Sequence, residues 1–444
     1  MGRARQIASS ENMDRILLDA SAASTDEGEH LLEENGFFIN TEVGTTETPP
    51  EGFVITSSIA ADAIDNTKLA DDAVQTENIA DDAGAAAAHR NVVINGAFNI
   101  NQRTTHNDLT GLGAANKYVA DRFEVDVNTA ARFTATTPAV TDLPGFTKCL
   151  HLTCTTAEAS LATADSIFSL DYRVEANDIA SLLNWSDTSN DTSANYITVS
   201  FYMKTNKAFK FTTGFINSDH NRTIRKEFTT STDWTRHVLT FPPDIGNSPN
   251  SDFGEGLRWR TTISAGSNYT SGTLATDWEA NTTANMHTSN TPNNFFDSTS
   301  NDIKITGLQM EIGQYNSDTI PNFQKTDVAI ERRRCDRYCQ LLASAQDQTI
   351  GNLSSYSNTD IRVDACFYGT FRNTPTVVQN GGTNDLRFDR DDSFDQFDSF
   401  DGLLYGHKQN ITLRGTSGVS TSQGKYGQMY GGGSNTRVLM LAEL

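Results

Sequence analysis

Between Ile59 and Ala83 one short phrase returns every ten residues: Ile59-Ala60-Ala61-Asp62-Ala63, Leu69-Ala70-Asp71-Asp72-Ala73 and Ile79-Ala80-Asp81-Asp82-Ala83. Ile64 and Val74 fall midway, so an aliphatic side chain recurs every five residues along Ile59, Ile64, Leu69, Val74 and Ile79. A step of five turns an α-helix by about 140°, so these side chains share no helical face. The spacing also breaks the strict alternation of a flat strand. Each unit is too short to fold alone, and one chain cannot hide such a series from water. Several chains wound around a common axis can pool it. The pattern predicts an intertwined shaft, with those five aliphatic residues as its core. Fully extended, residues 53–84 reach roughly 100 Å, and less when wound.

Charge sets the shaft and its leader apart from the rest. The chain has 444 residues and a formal net charge of −22. Residues 1–90 hold eighteen Asp or Glu against five Lys or Arg, a net of −13, and no Cys, Trp or Tyr. A segment this acidic and this poor in large apolar residues forms no core of its own and orders against partner chains. The same charge argues against sequence-independent binding to nucleic acid. Within residues 1–50, short apolar clusters stand among small and acidic residues: Ile16-Leu17-Leu18, Leu31-Leu32 and Phe37-Phe38-Ile39. Spaced this way, they suit docking onto another protein's surface, so the segment is expected to be an attachment element. No apolar run is long enough for a membrane span, and no membrane insertion is expected.

From Asn91 strand-like runs follow one another, parted by polar turns. They include Asn91–Phe98, Asp121–Val125, Tyr196–Lys204, Trp234–Phe241, the face Leu257, Trp259, Thr261 and Ile263, and Ile303–Glu311. Many strands at such intervals predict an antiparallel two-sheet sandwich over residues 91–325. Residues 326–345 read as a linking helix, with Val328, Cys335 and Leu342 spaced by sevens along a seam that three helices can share. Arg332, Arg333 and Arg334 flank that seam as a solvated or interchain ion-paired face. Residues 346–444 read as a small β-domain, with strands around Ile361 and Val363, after Pro375, at Asn410–Gly415 and at Thr436–Leu441. The predicted fold class is mainly β: a 1–50 attachment segment, a 51–90 shaft, a sandwich, a helix and a terminal β-domain.

Few residues suggest chemistry. The five cysteines are too sparse for a disulfide framework. Cys335 and Cys339 fall at i, i+4 on the predicted helix but have no further ligand beside them, so buried thiols are expected rather than a metal. No nucleophile elbow, P-loop or metalloprotease helix is present, and no cofactor is expected. Acids are so common that pairs suited to glycan cleavage arise by chance. The acidic stretch Asp389–Asp401, with Phe394, Phe397 and Phe400, lacks a fixed calcium-loop pattern. It is read as an exposed loop whose phenylalanines dock on a neighbouring chain. Sugar binding needs open aromatic faces beside planar polar groups. Trp234 and Trp259 are expected in the sandwich core. Trp185 and Trp278, each in a polar loop, are the glycan-binding candidates.

Several of these segments resemble the tail-fibre and fibre-like virion proteins of bacteriophages, particularly the type common in marine phages. Arg15–Gly28 is similar to the amino-terminal segment of such fibres, and the Ile/Leu-Ala-Asp-Asp-Ala repeat to their shafts. Asn91–Phe98, with Gln102-Arg103 and Tyr118–Phe123, resembles the start of a jelly-roll module often described as carbohydrate-binding-like. Ile305–Gly313, followed by Cys335–Tyr338, resembles its end and the linking helix. Phe371–Val377 is similar to the start of the small domain after that helix. This chain departs from the family in carrying only about two and a half repeats. The resemblance implies a non-enzymatic homotrimer located in the virion and assembled in the host cytoplasm. Its N-terminus would be held by other virion proteins, and its outer β-domains would bind a host surface glycan or protein. A capsid- or neck-attached decoration fibre and a polysaccharide depolymerase spike are the alternatives.

Overall fold

The computed structural model describes residues 31–32, 38–39 and 91–444, apart from 104–115, 160, 162–163, 187–193, 289–293, 366, 380–381, 391–392, 407, 409–410 and 434–435. The shaft residues Ile59, Ile64, Leu69, Val74 and Ile79 lie outside the described residues, as do Ile16, Leu17, Leu18 and Phe37 of the attachment segment. The chain divides into two compact units between residues 79 and 80. In the first, β1 (Leu31–Leu32) pairs antiparallel with β2 (Phe38–Ile39), Leu31 opposite Ile39 and Leu32 opposite Phe38.

The second unit begins with the expected sandwich. Its strands are β3 (Lys117–Ala120), β4 (Phe123–Asn128), β5 (Arg132–Thr136), β6 (Leu150–Thr156), β7 (Ile167–Glu175), β8 (Ile197–Thr205), β9 (Lys210–Asn217), β10 (Arg222–Thr229), β11 (Thr235–Phe241), β12 (Glu255–Ala265), β13 (Glu279–Ala280) and β14 (Asp302–Ile312). A seven-stranded sheet runs β13-β10-β9-β12-β7-β4-β3 and a five-stranded sheet runs β11-β8-β14-β6-β5, with antiparallel pairing throughout. Alternation does the sorting. β8 turns Ile197, Val199, Phe201 and Met203 inward and all are buried. Trp259, opposite Tyr172 on one side and Phe215 on the other, meets Phe201 from the facing sheet with ring centroids 5.8 Å apart. Each such ring contributes about 2 kcal/mol of burial.

Two sequence expectations change here. Asn91–Phe98 forms no regular strand; Asn91 Oδ1 accepts from the N–H groups of Val93 and Met310, so a side chain does the work of a ladder rung. Trp234 lies not in the core but half-buried at the surface, just before β11, because Arg236 opposite Tyr202 fixes the outward phase of that strand. His237, on the inward phase, packs on Phe201 and Phe228 instead.

His237 yields a pH prediction. Burial lowers its pKa from 6.5 to about 4. The unfolded chain takes up the proton first as pH falls, so the neutral ring's stability is present above pH 6.5 and lost on descent toward pH 4. Allowing for partial exposure, the loss is about 2 kcal/mol. Urea denaturation of His237→Phe should show a flatter profile across that window than the native chain; parallel profiles would refute the assignment.

The predicted helix over 326–345 is only α2-length in part: with α1 at Ala176–Leu183, α2 covers Val328–Asp336, capped by the Asp327 carboxylate accepting from Ala329 and Ile330 N–H. Beyond it the chain extends as β15 (Cys339–Ala343), because β24 (Val438–Leu441) pairs with it, Cys339 opposite Leu441, with a register shift at Leu342. The heptad seam therefore does not exist as a helix face. Val328 is exposed, Cys335 is buried, and Leu342 sits on the strand. The four described cysteines, Cys149, Cys154, Cys335 and Cys339, are buried and unbridged.

The terminal β-domain adds β16 (Thr349–Ser357), β17 (Asp360–Ala365), β18 (Thr376–Gln379), β19 (Leu386–Arg390), β20 (Ser393–Phe397), β21 (Gly402–Gly406), β22 (Ile411–Gly415) and β23 (Tyr426–Gly431). A seven-stranded sheet runs β20-β19-β23-β16-β17-β22-β21, and a three-stranded sheet runs β15-β24-β18. Their shared core includes Ile361, Val363, Phe388, Met429 and Met440. The acidic stretch expected to be a loop is largely a hairpin of β19 and β20, and Phe397 and Phe400 fill this domain's own core. Only Phe394 of the three phenylalanines is exposed.

Sandwich and terminal domain meet along a seam of buried charge. The Glu443 carboxylate accepts from Arg103 at 2.7 Å and Arg122 at 2.8 Å. The Arg122 guanidinium lies 3.5 Å from the centroid of the Tyr338 ring, and Arg337 bridges Glu175 at 2.9 Å. Gln102 ties the same junction together, donating to Asp121, Asp336 and the Cys339 carbonyl.

Candidate functional site

Two glycines from distant motifs build a hollow beside the sandwich. In β14 a bulge separates Thr306 from Gln309, and Gly307 takes a φ of +66° there, a left-handed conformation that favours glycine. A side chain at 307 would place its Cβ 2.7 Å from Phe146, so the missing side chain is what lets that ring lie on the sheet. Gly96 packs against the same bulge, its carbonyl accepting from Leu308 N–H at 3.0 Å. A Cβ at 96 would fall 2.0 Å from the Leu308 carbonyl oxygen.

Above the bulge opens a cleft of about 210 Å³. Its aromatic wall is Phe146 against Phe323, centroids 5.2 Å apart, and Phe146 also meets Tyr202 at 5.2 Å. All three rings are partly exposed. The opposite side is polar. Asn91 N–H donates to Gln324 Oε1 at 2.8 Å, and Gln324 N–H donates to Gln309 Oε1 at 2.8 Å. Exposed Asn99 accepts from the Thr147 hydroxyl, and exposed Lys325 stands at the rim. Glu331 closes the floor and accepts from the Asn95 N–H.

The aromatic ledge continues along the outer face of the five-stranded sheet. Arg236 lies 5.7 Å above the Tyr202 ring and is fixed by donating to the Pro321 carbonyl at 2.7 Å. The Trp234 indole N–H donates to Asp142 at 2.9 Å, and Lys204 donates to the other oxygen of that carboxylate at 2.7 Å. Hydrogen bonds from Lys204 and then Trp234 pull the Asp142 pKa down to about 2, so the Asp142–Lys204 ion pair, with the Trp234 indole bonded to it, stays charged across ordinary pH. Rings that stack, amides that donate and accept, and a held ion pair together suit a polyhydroxylated ligand.

The two predicted glycan residues are elsewhere. Trp185 is only 6% exposed, and its N–H donates to the Asn195 carbonyl. Trp278 is partly buried and donates to the Pro242 carbonyl at 2.8 Å. The two indoles pack edge to face at 5.7 Å beside the sandwich core. They do come together, but as packing beneath their own loops, and Trp185 offers a ligand no open ring face. Sequence reasoning missed Phe146, Tyr202 and Phe323, which come from a loop, a strand and the segment after β14. The one available signal was the Thr306-Gly307-Leu308-Gln309 bulge motif, whose glycine implies that something large lies upon it.

No protein-family model matches the chain, and no curated protein does. Among solved structures it is similar to the family 11 carbohydrate-binding module of the cellulase Lic26A-Cel5E of Clostridium thermocellum, with 9% identity, 46% of this chain and 98% of that chain covered, and a TM-score of 0.23. It is similar to TmCBM61, solved with β-1,4-galactotriose, at 10% identity, with 50% of this chain and 99% of that chain covered and a TM-score of 0.24. A third similar structure is the enzymatically active domain of tailspike protein 4 of bacteriophage CBA120, at 9% identity and a TM-score of 0.25, covering 50% of this chain but 21% of that one. Likenesses at these identities and scores carry no argument about activity or partner. The mainly antiparallel β architecture stands on the strands themselves.

Proposed function

We propose that this chain is the subunit of a homotrimeric bacteriophage virion fibre that binds a glycan of the host surface. The N-terminal segment is held by other virion proteins, the repeat winds into a stalk, and the sandwich presents the cleft. The observation that carries the binding role is the Phe146–Phe323 wall facing Asn91, Asn99 and Gln324. The stalk rests on the aliphatic period of five. Binding rather than cleavage is favoured because the cleft's carboxylate, Glu331, is engaged by the Asn95 N–H and by Arg334. Acid-pair hydrolysis needs two carboxyl groups flanking the bond. Three copies multiply a weak single-site affinity through effective concentration. The short repeat favours, as a second reading, attachment to capsid or neck instead of the tail; imaging of whole virions separates the two.

The test combines a host-envelope glycan array with mass measurement of the purified full chain. A particle of three chain masses that binds surface glycans is expected. Phe146→Ala with Phe323→Ala should weaken binding by about fivefold to 150-fold, since each ring contact contributes roughly 0.5–1.5 kcal/mol. A monomer, or undiminished binding by the double variant, would overturn the corresponding half of the proposal.

A further inference from the structure

The terminal β-domain carries a second aromatic surface, remote in sequence and chemistry from the cleft. Pairing registers place Phe394, Asp389, Gln428, Asn352, Asp364 and Thr412 in one line across the seven-stranded sheet. Residues directly opposite in neighbouring strands share a face, as do residues two apart along a strand. That same face therefore bears Tyr426 and Tyr430 on β23, Tyr356 on β16, and Arg362 and Arg387 on β17 and β19. The opposite face is the buried core of Leu353, Val363, Phe388 and Met429.

Rings on the outer face are unusually open: Tyr426 is 75% exposed, Tyr356 57% and Phe394 56%. They are also held in place. Arg362 stacks on Tyr356 at 3.5 Å, and Arg387 stands between Phe394 at 5.3 Å and Tyr430 at 5.8 Å. The rings do not form one greasy patch. Tyr426 and Phe394 lie two strands apart, about 10 Å across the sheet. Arg387 and Asp389 of β19 lie between them, and Gln428, Asn352 and Ser354 add amide and hydroxyl groups along and beyond β23. A protein interface is built around a contiguous dry centre, which this face lacks. Separated platforms divided by hydrogen-bonding groups match a chain of sugar rings, whose apolar faces alternate with hydroxyl edges.

Charge narrows the class. The three arginines of the face stand among four acids: Arg387 beside Asp389 at 2.6 Å and Asp347 at 3.1 Å, Arg414 and Arg362 sharing Asp360 at 3.1 Å and 3.9 Å, and Asp364 in the line between Asn352 and Thr412. An anionic polymer would find no excess of positive charge here and would approach a chain of net charge −22. We propose that the solvent face of the terminal seven-stranded sheet is a binding platform for an uncharged polysaccharide, spanning several sugar units and independent of the sandwich cleft.

The test is affinity electrophoresis and calorimetry of the full chain against uncharged glucan, galactan and mannan, with carboxymethylated glucan as the anionic probe. Binding to an uncharged polymer is expected, nearly insensitive to salt. Tyr426→Ala with Tyr356→Ala should reduce it at least tenfold, whereas Tyr368→Ala, an equally open ring outside the sheet, should leave it unchanged. These surface substitutions leave the core intact, so circular dichroism should match the native chain. Binding to none of the uncharged polymers, preference for the carboxymethylated one, or full retention of binding by the tyrosine variant would each overturn the proposal. A change of oligomeric state in that variant would show the face to be a contact between copies and would overturn it too. Loss of binding through the Phe146 and Phe323 substitutions alone would move the activity to the cleft, leaving the cleft reading in force.

Discussion

Glu443→Gln is expected to cost the folded protein about 3 kcal/mol and to loosen the terminal β-domain from the sandwich, because removing one partner of a buried ion pair strands the other. The substitution keeps the shape of the side chain and removes its charge. Arg103 and Arg122 would then face one another with side chains 7% and 1% exposed. Asp121, 3.7 Å from Arg103, offers that residue partial relief. Arg122 has none from a carboxylate among the described ion pairs and keeps only the Arg173 carbonyl and the ring faces of Tyr172 and Tyr338. Urea denaturation would read the loss. Limited proteolysis would read its location, as faster cutting in the Gly313–Asp327 segment that joins the two parts. An unchanged midpoint together with an unchanged cleavage pattern would remove the seam from this account.

Gly307→Val should have an effect of similar size by a different route. A β-branched residue in the left-handed region costs about 1–2 kcal/mol from the backbone alone. Its Cβ would also lie 2.7 Å from Phe146 and 3.1 Å from Tyr202, so the rings must shift, at a further 1–3 kcal/mol or so. Together these amount to about 3 kcal/mol. The same change displaces one wall of the cleft. Thermal melting and glycan binding should therefore fall together, whereas Phe146→Ala should lower binding with a smaller loss of melting temperature. A Gly307→Val protein that melts and binds like the native chain would show that Phe146 does not depend on the bulge.

The strands were readable because period two survives in the sequence wherever one face is buried. Tyr196–Lys204 and Ile303–Glu311 declare their faces outright, and both lie within one residue or so of β8 and β14. The helix over 326–345 was misjudged in extent. Its sevenfold spacing is real, but Cys339 and Leu341 are claimed by a strand nearly a hundred residues later, and no local pattern announces that pairing. Trp234 went astray for a related reason: which residues of a strand face inward is set by its partner β8, and Trp234 falls on the outward phase. The site was the least legible part. Tryptophans in loops invited attention, yet Trp185 had a carbonyl waiting for its N–H. The cleft is made of phenylalanines whose neighbours are decided by tertiary structure.

The small three-stranded sheet has a bearing on how the chain is made. Its middle strand is Val438–Leu441, and both outer strands pair with that strand alone within the sheet. During translation Cys339–Ala343 and Thr376–Gln379 must therefore wait, unpaired, for roughly sixty to a hundred further residues to leave the ribosome, while the upstream sandwich already holds all its own strands. Nascent chains stalled just before residue 438 should carry a finished sandwich and an unfinished outer domain.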